Sequence, residues 1–247
     1  MTDVATKTGA VLLDIEGTTT PISFVHDILF PFARDHARDF LIRYFRAPEV
    51  QEDIAALFRE HSLETASGAQ PPQINASSSA DATIPYVNWL IEQDRKSPAL
   101  KSLQGKIWEQ GYRDGTLKAP LFADVVPNLV RLRRLGMSIA IFSSGSVLAQ
   151  KLLFAYTDTG DHTELIDQYF DTGVGSKVSV SSYQEIAREL QLRPTQVIFV
   201  SDVTNELAAA RDAGMRTLLC LRPGNQPQSN AEQFQTIQSF SQILSGQ

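Results

Sequence analysis

Three carboxylates stand out by where they fall in the chain. Asp14 and Glu16 close the apolar run over residues 10–15, and Asp202 closes a second run over 197–200. Alternate residues of an extended strand point the same way, so with Ile15 turned inward the carboxyls of Asp14 and Glu16 can face one cleft. Gly17 lets the backbone turn sharply behind them. Carboxylates that converge from separate strand ends repel one another unless a cation lies among them. Hard oxygen ligands in small number suit Mg²⁺, with water and a substrate phosphate completing its octahedron. A third run, 138–142, ends in Ser143-Ser144-Gly145-Ser146, where hydroxyls and backbone N–H groups open a helix and can bind an anion. Lys177 can add a fixed positive charge. A bound anion beside a carboxylate-held cation suggests phosphoryl chemistry, in which positioning and charge stabilisation do most of the work. Asp14 is then the expected nucleophile, carrying an aspartyl-phosphate. Each residue alone has a plainer reading, because turns after strands favour Asp and Ser. The joint pattern is what points to chemistry.

The elements that must position these residues are legible as well. The three runs are continuously apolar rather than alternating, which marks strands covered on both faces in a parallel sheet. Helical patterns at 125–135, 182–190 and 206–213 lie between or beside them, the last closed by Gly214. The expected fold is α/β, with ligands outside the carboxyl ends of the strands where the chain order reverses. Between the first strand and the second run more than a hundred residues of mostly helical pattern, at 24–45, 49–61, 84–94 and 100–112. This block reads as a cap inserted after the first strand, giving a core of 1–20 with 122–247 and a helical cap of 21–121. Segment 66–83 is rich in Ser, Ala, Pro and Gln and reads as a mobile loop. A final short helix is expected near 240–244.

Composition narrows the partners. The 247 residues are 43% hydrophobic and 20% charged, ample for a buried core. With 22 basic and 28 acidic residues the net charge is −6, which disfavours nucleic acid. No window approaches the roughly 18 apolar residues of a membrane span. The lone Cys220 sits in an apolar run and reads as a core residue in a reducing, cytoplasmic setting. A monomer acting on a small molecule is expected.

Rival motifs fail on their details. Gly173-Val174-Gly175-Ser176-Lys177 has Ser where a P-loop needs Gly before the lysine, and the strand before it is weak. No Gly-x-Ser-x-Gly can be laid over Ser143-Ser144-Gly145-Ser146. His26, His36, His61 and His162 show no metal-ligand spacing.

Leu12-Leu13-Asp14-Ile15-Glu16-Gly17-Thr18-Thr19, Ser143-Ser144-Gly145-Ser146, Lys177 and Ser201-Asp202-Val203-Thr204-Asn205-Glu206 resemble, in order, the four motifs of the haloacid dehalogenase (HAD) superfamily. Glu16 departs from the Asp-x-Asp of most HAD phosphatases. With Thr19-Thr20-Pro21-Ile22-Ser23-Phe24-Val25 after it, it resembles one family, the bifunctional enolase-phosphatases of methionine salvage. Further matching segments are Asp94-Arg95-Lys96, Leu103-Gln104-Gly105-Lys106-Ile107-Trp108, Phe122-Ala123-Asp124-Val125-Val126-Pro127, Ala149-Gln150-Lys151-Leu152-Leu153-Phe154 and Arg222-Pro223-Gly224-Asn225. His26 stands where relatives are expected to carry lysine.

The resemblance implies a Rossmann-like HAD core with an inserted helical cap. It implies enolisation and then dephosphorylation of 2,3-diketo-5-methylthiopentyl-1-phosphate to an acireductone. By the same resemblance Asp14, Glu16 and Asp202 hold Mg²⁺, while Ser143, Ser144 and Lys177 hold the substrate phosphate. Asp14 and Glu16 are catalytic, the acid at the position of Glu16 serving as general acid and base and offering the metal its backbone carbonyl. Residues near Lys96, Trp108 and Tyr112 are expected to close over the methylthio end. Two alternatives stay open at this point: a HAD phosphatase for another small phosphate ester, and a binding protein that has kept the fold.

Overall fold

The computed structural model describes residues 8–74, 80–93, 95 and 97–245. Six parallel strands form one sheet in the order β3-β2-β1-β4-β5-β6: β1 Ala10–Leu13, β2 Ser138–Phe142, β3 Gln168–Phe170, β4 Val197–Ser201, β5 Arg216–Cys220 and β6 Gln235–Ile237. The chain winds one way from β1 to β2 and β3, then returns to β4, β5 and β6 on the other side. The reversal falls beside β1, the switch point at which open α/β sheets bind ligands.

The central strands are apolar along their whole length because both faces are covered. Ala10, Leu12, Ala140, Phe142, Val197 and Phe199 pack with Tyr183 and Ile186 of α7 (Val180–Glu189) and with Leu207 and Ala210 of α8 (Thr204–Asp212). Their neighbours Val11, Leu13, Ile139, Ile141, Ile198 and Val200 are equally buried on the opposite face, where α5 (Val125–Arg134) packs on β2. Each such aliphatic side chain contributes about 1.5–3 kcal/mol on burial. Cys220 is fully buried in β5, and burial pushes its thiol up to about 11.

The chain divides into two compact units, one made of Met1–Val25 with Lys118–Gln247 and the other of His26–Leu117. The second is helical. A π-turn at Phe24–Leu29 leads into α1 (Phe30–Tyr44), followed by α2 (Pro48–Ala66), α3 (Ile84–Glu92) and α4 (Pro98–Arg113). The stop and start signals are local: Pro98 opens α4 behind Ser97, whose hydroxyl accepts from Leu100 N at 2.9 Å. Ala37, Leu41, Leu57, Tyr86, Leu90 and Leu103 form its core.

Segment 66–83, expected from its composition to be a mobile loop, is anchored at its described ends. Ala80 and Thr83 are buried, Ile74 packs on the helical core, and the Pro72 carbonyl lies 3.0 Å from His61 Nε2. The centre of the expected loop, residues 75–79, lies outside the described residues. The expected terminal helix is a single 3-10 turn, Phe240–Gln242. No helix among the described residues is long and apolar enough to cross a membrane.

Candidate active site

The sheet register sets the geometry. Leu13 lies level with Ile141 of β2 and Val200 of β4, and Asp14 N continues the ladder to Val200 O at 3.0 Å. Asp14, Ser143 and Asp202 each stand one residue beyond a strand end, on three adjacent strands. Behind Asp14 the chain knots on itself: the N–H groups of Thr18, Thr19 and Thr20 and the hydroxyl of Thr19 all point at Ile15 O. Gly17 reverses the chain at φ 67°, and a Cβ there would come closer than 3.0 Å to Asp202 Oδ2. The Asp202 carboxylate thus lies directly against the β1 loop, and only glycine fits between.

Asp14 is buried and held on both oxygens. Its Oδ1 accepts from Ile15 N at 2.7 Å and pairs with Lys177 Nζ at 2.7 Å, while Oδ2 accepts from Ser201 Oγ at 3.0 Å. Lys177 Nζ also reaches Glu206 Oε2 at 2.8 Å and lies over the ring of Phe142. Burial works against this ammonium, but the carboxylates of Asp14 and Glu206 outweigh it and hold the lysine well above its usual range. Glu206 in turn is pushed above the usual carboxylate range, by burial and by the charge of Asp14. Two carboxylates share one ammonium here, and the ammonium keeps its proton.

Asp202 lacks such a partner. It is buried, no ion pair to it occurs among the described residues, and burial followed by the charge of Asp14 pushes its carboxyl up to about 7. Glu16, partly exposed, adds to that repulsion. A buried carboxylate under repulsion from two others is a site that a cation relieves. Among the described residues no three His, Cys, Asp or Glu side chains close on one point as a complete metal cage. The donors fit a hard divalent cation that takes few protein oxygens and fills the rest of its shell from water and substrate.

On the other side of Asp14, Ser143 is buried with its Oγ accepting from Gly145 N at 3.2 Å, and Ser144 is half-buried beside it. Ser146 caps α6 (Val147–Ala155), accepting from Ala149 N at 3.2 Å. Gln150, itself buried, donates from Nε2 to Gly145 O at 2.9 Å and Phe170 O at 2.8 Å, pinning the turn from behind. The result is a helix N-terminus fronted by hydroxyls, suited to an anion.

The structure therefore gathers Asp14, Glu16, Asp202, Ser143, Ser144 and Lys177 at one end of the sheet within a single unit. Trp108 and Tyr112 are buried in the helical unit, Trp108 donating its indole N–H to Leu29 O at 2.8 Å; Lys96 lies outside the described residues. Sequence reasoning placed Ser201 and Glu206 in a motif segment but gave neither a role. The available signal was spacing: Glu206 falls four residues after Asp202, in the first turn of α8, facing back toward the strand end.

Residues 8–214 match the model of the haloacid dehalogenase-like hydrolases. An Enolase-phosphatase E1 of Synechococcus elongatus is 51% identical over 94% of this chain and 96% of its own, and one of Drosophila grimshawi is 42% identical over 99% and 100%. Among solved structures, the UTR4 protein of Saccharomyces cerevisiae superposes with a TM-score of 0.75 at 33% identity, covering 94% of this chain and 98% of its own. CbbY of Rhodobacter sphaeroides, with a TM-score of 0.60 at 17% identity, shares the fold. This chain belongs to the haloacid dehalogenase-like hydrolases and, within them, to the enolase-phosphatase E1 family.

Proposed function

We propose that this enolase-phosphatase of methionine salvage converts 2,3-diketo-5-methylthiopentyl-1-phosphate to the acireductone 1,2-dihydroxy-3-keto-5-methylthiopentene through a phosphorylated Asp14. The observation that carries the residue assignment is the Asp14 carboxylate itself, fixed on both oxygens at the switch point between an anion-binding turn and a second carboxylate. Asp14 attacks phosphorus, and the bond from phosphorus to the substrate oxygen breaks. Glu16 gives that oxygen its proton. Glu16 then takes a proton from water, whose oxygen attacks phosphorus and frees Asp14. Lys177 keeps its charge throughout and, with Ser143 and Ser144, steadies the phosphoryl oxygens. Asp14, Glu16 and Asp202 would hold Mg²⁺, which when bound neutralises charge between these carboxylates and the phosphate.

The test supplies the diketone phosphate with Mg²⁺ and follows enol absorbance together with phosphate release. Both signals are expected, with phosphate lagging the enol. Phosphate release without any enol would leave a phosphatase for another small phosphate ester.

A further inference from the structure

The amide of Asn225 is locked in one orientation. Its Nδ2 donates to Gly17 O at 2.9 Å and to Cys220 O at 3.3 Å, so both N–H groups are occupied by carbonyls, one in the β1 loop and one at the end of β5. Turning the amide over would set its oxygen against both carbonyls. Oδ1 therefore faces the other way, buried and without a hydrogen-bond partner. A Cβ on Gly17 would lie 2.8 Å from this Oδ1 and closer still to Asp202 Oδ2, so the two oxygens flank the same bare Cα. Buried acceptors are normally satisfied, and an exception at a functional site asks for the missing donor.

We propose that Asn225 is a positioning residue of the cation site. Its Oδ1 takes a hydrogen bond from the hydration shell of the divalent cation beside Asp202, and its Nδ2 ties that shell to the β1 loop. This rests on the reading above that Asp14, Glu16 and Asp202 hold the cation. The side chain supplies what an outer partner of a metal site supplies, an oriented acceptor that fixes a group bound directly to the ion. The competing role is a pure brace, in which only the two Nδ2 bonds matter.

Asn225→Asp and Asn225→Leu separate the two roles, because the first keeps an acceptor and loses both donors whereas the second loses all three contacts. The full chain, stripped with chelator, is titrated with Mg²⁺ by calorimetry at pH 8, with Asp202→Ala as control. We expect N225L to weaken Mg²⁺ binding about tenfold, or about 1.4 kcal/mol. N225D should bind at least as tightly as the parent, and Mg²⁺ should raise its melting temperature more. Weaker binding by N225D, parental binding by a folded N225L, or an N225D protein that fails to fold even with Mg²⁺ overturns the proposal. If Asp202→Ala also leaves Mg²⁺ binding intact, the cation site itself has been misplaced. If that control abolishes binding while N225L does not weaken it, only the role of Asn225 falls.

Discussion

Replacing Lys177 with Met tests the electrostatic heart of the site, because it keeps a stem of similar length and removes the ammonium, with its place over the Phe142 ring. The ammonium, with a side chain 11% exposed, is the common partner of Asp14 and Glu206. Without it the two carboxylates keep the Ser201 hydroxyl, which lies 3.0 Å from each and has one proton to give. Breaking a buried pair by removing one partner costs about 3–5 kcal/mol. Part of that cost is avoided by taking up a proton, which makes the loss depend on pH. Glu206, already held above the usual carboxylate range in the parent, is pushed further up without the ammonium, so its protonated form favours the folded state at low pH and that contribution is lost as pH rises through the folded value. At about 1.4 kcal/mol per unit, the deficit relative to the parent widens as pH rises past the parent's own raised Glu206 value, about 8. Urea denaturation at a series of pH values, with chelator present, measures it. A deficit under about 1 kcal/mol at pH 8.5, or one that does not change with pH, would show that Lys177 is not the counter-charge described and would sink this reasoning.

Asp14→Asn should lower phosphate release by about 10⁴-fold or more, the scale on which loss of a nucleophile is felt, yet still exchange deuterium from solvent into the diketone substrate. Mass spectrometry decides it, since absent exchange in a folded, Mg²⁺-loaded protein would give Asp14 a part in enolisation too. Gly17→Ala places a side chain at φ 67° and against Asp202, so a stability loss of about 1–2 kcal/mol is expected together with weaker Mg²⁺ binding, both read from urea curves with and without the metal. Asp124→Asn leaves the Arg222 guanidinium, 4% exposed, without its carboxylate. Burial works against the ionised Asp124, but Arg222 and the Phe240 N–H more than offset it and hold its carboxyl below the usual range. The pair's contribution is therefore present above about pH 4 and lost as pH falls through the lower folded value. The melting temperatures of D124N and parent should converge in acid and separate at neutral pH.

How much of this was legible depended on whether each element carried its own signal. β1, β2 and β4 were, because burial on both faces demands unbroken apolar runs, and the residues just beyond them are the ones proposed above for the site. β3 and β6 were not: at three residues each, Gln168–Phe170 and Gln235–Ile237 owe their pairing to neighbours rather than to composition. The contact of Glu206 with Lys177 was hidden, because an acid in the first turn of a helix is favoured by the helix dipole anyway. Lys177 was legible as a positive charge beside the anion turn, but its pairing with Asp14 and Glu206 was not, since both partners are distant in sequence. Asn225 lies in a polar stretch whose pattern gives no hint that one amide oxygen is buried.

The placement of Asp14, Ser143 and Asp202 one step beyond three neighbouring strands also governs how this site can vary over generations. Neighbouring strands are about 4.8 Å apart, and each residue advances a strand by about 3.3 Å while turning its side chain to the opposite face. Gaining or losing one residue within β1, β2 or β4 therefore cannot nudge Asp14, the Ser143 turn or Asp202 by a small amount. It carries that group a full step along the sheet and points it into the core. Length changes in these strands are all-or-nothing events, whereas the connections that approach them from the opposite end, such as the one between α7 and β4, are free to lengthen or shorten by single residues.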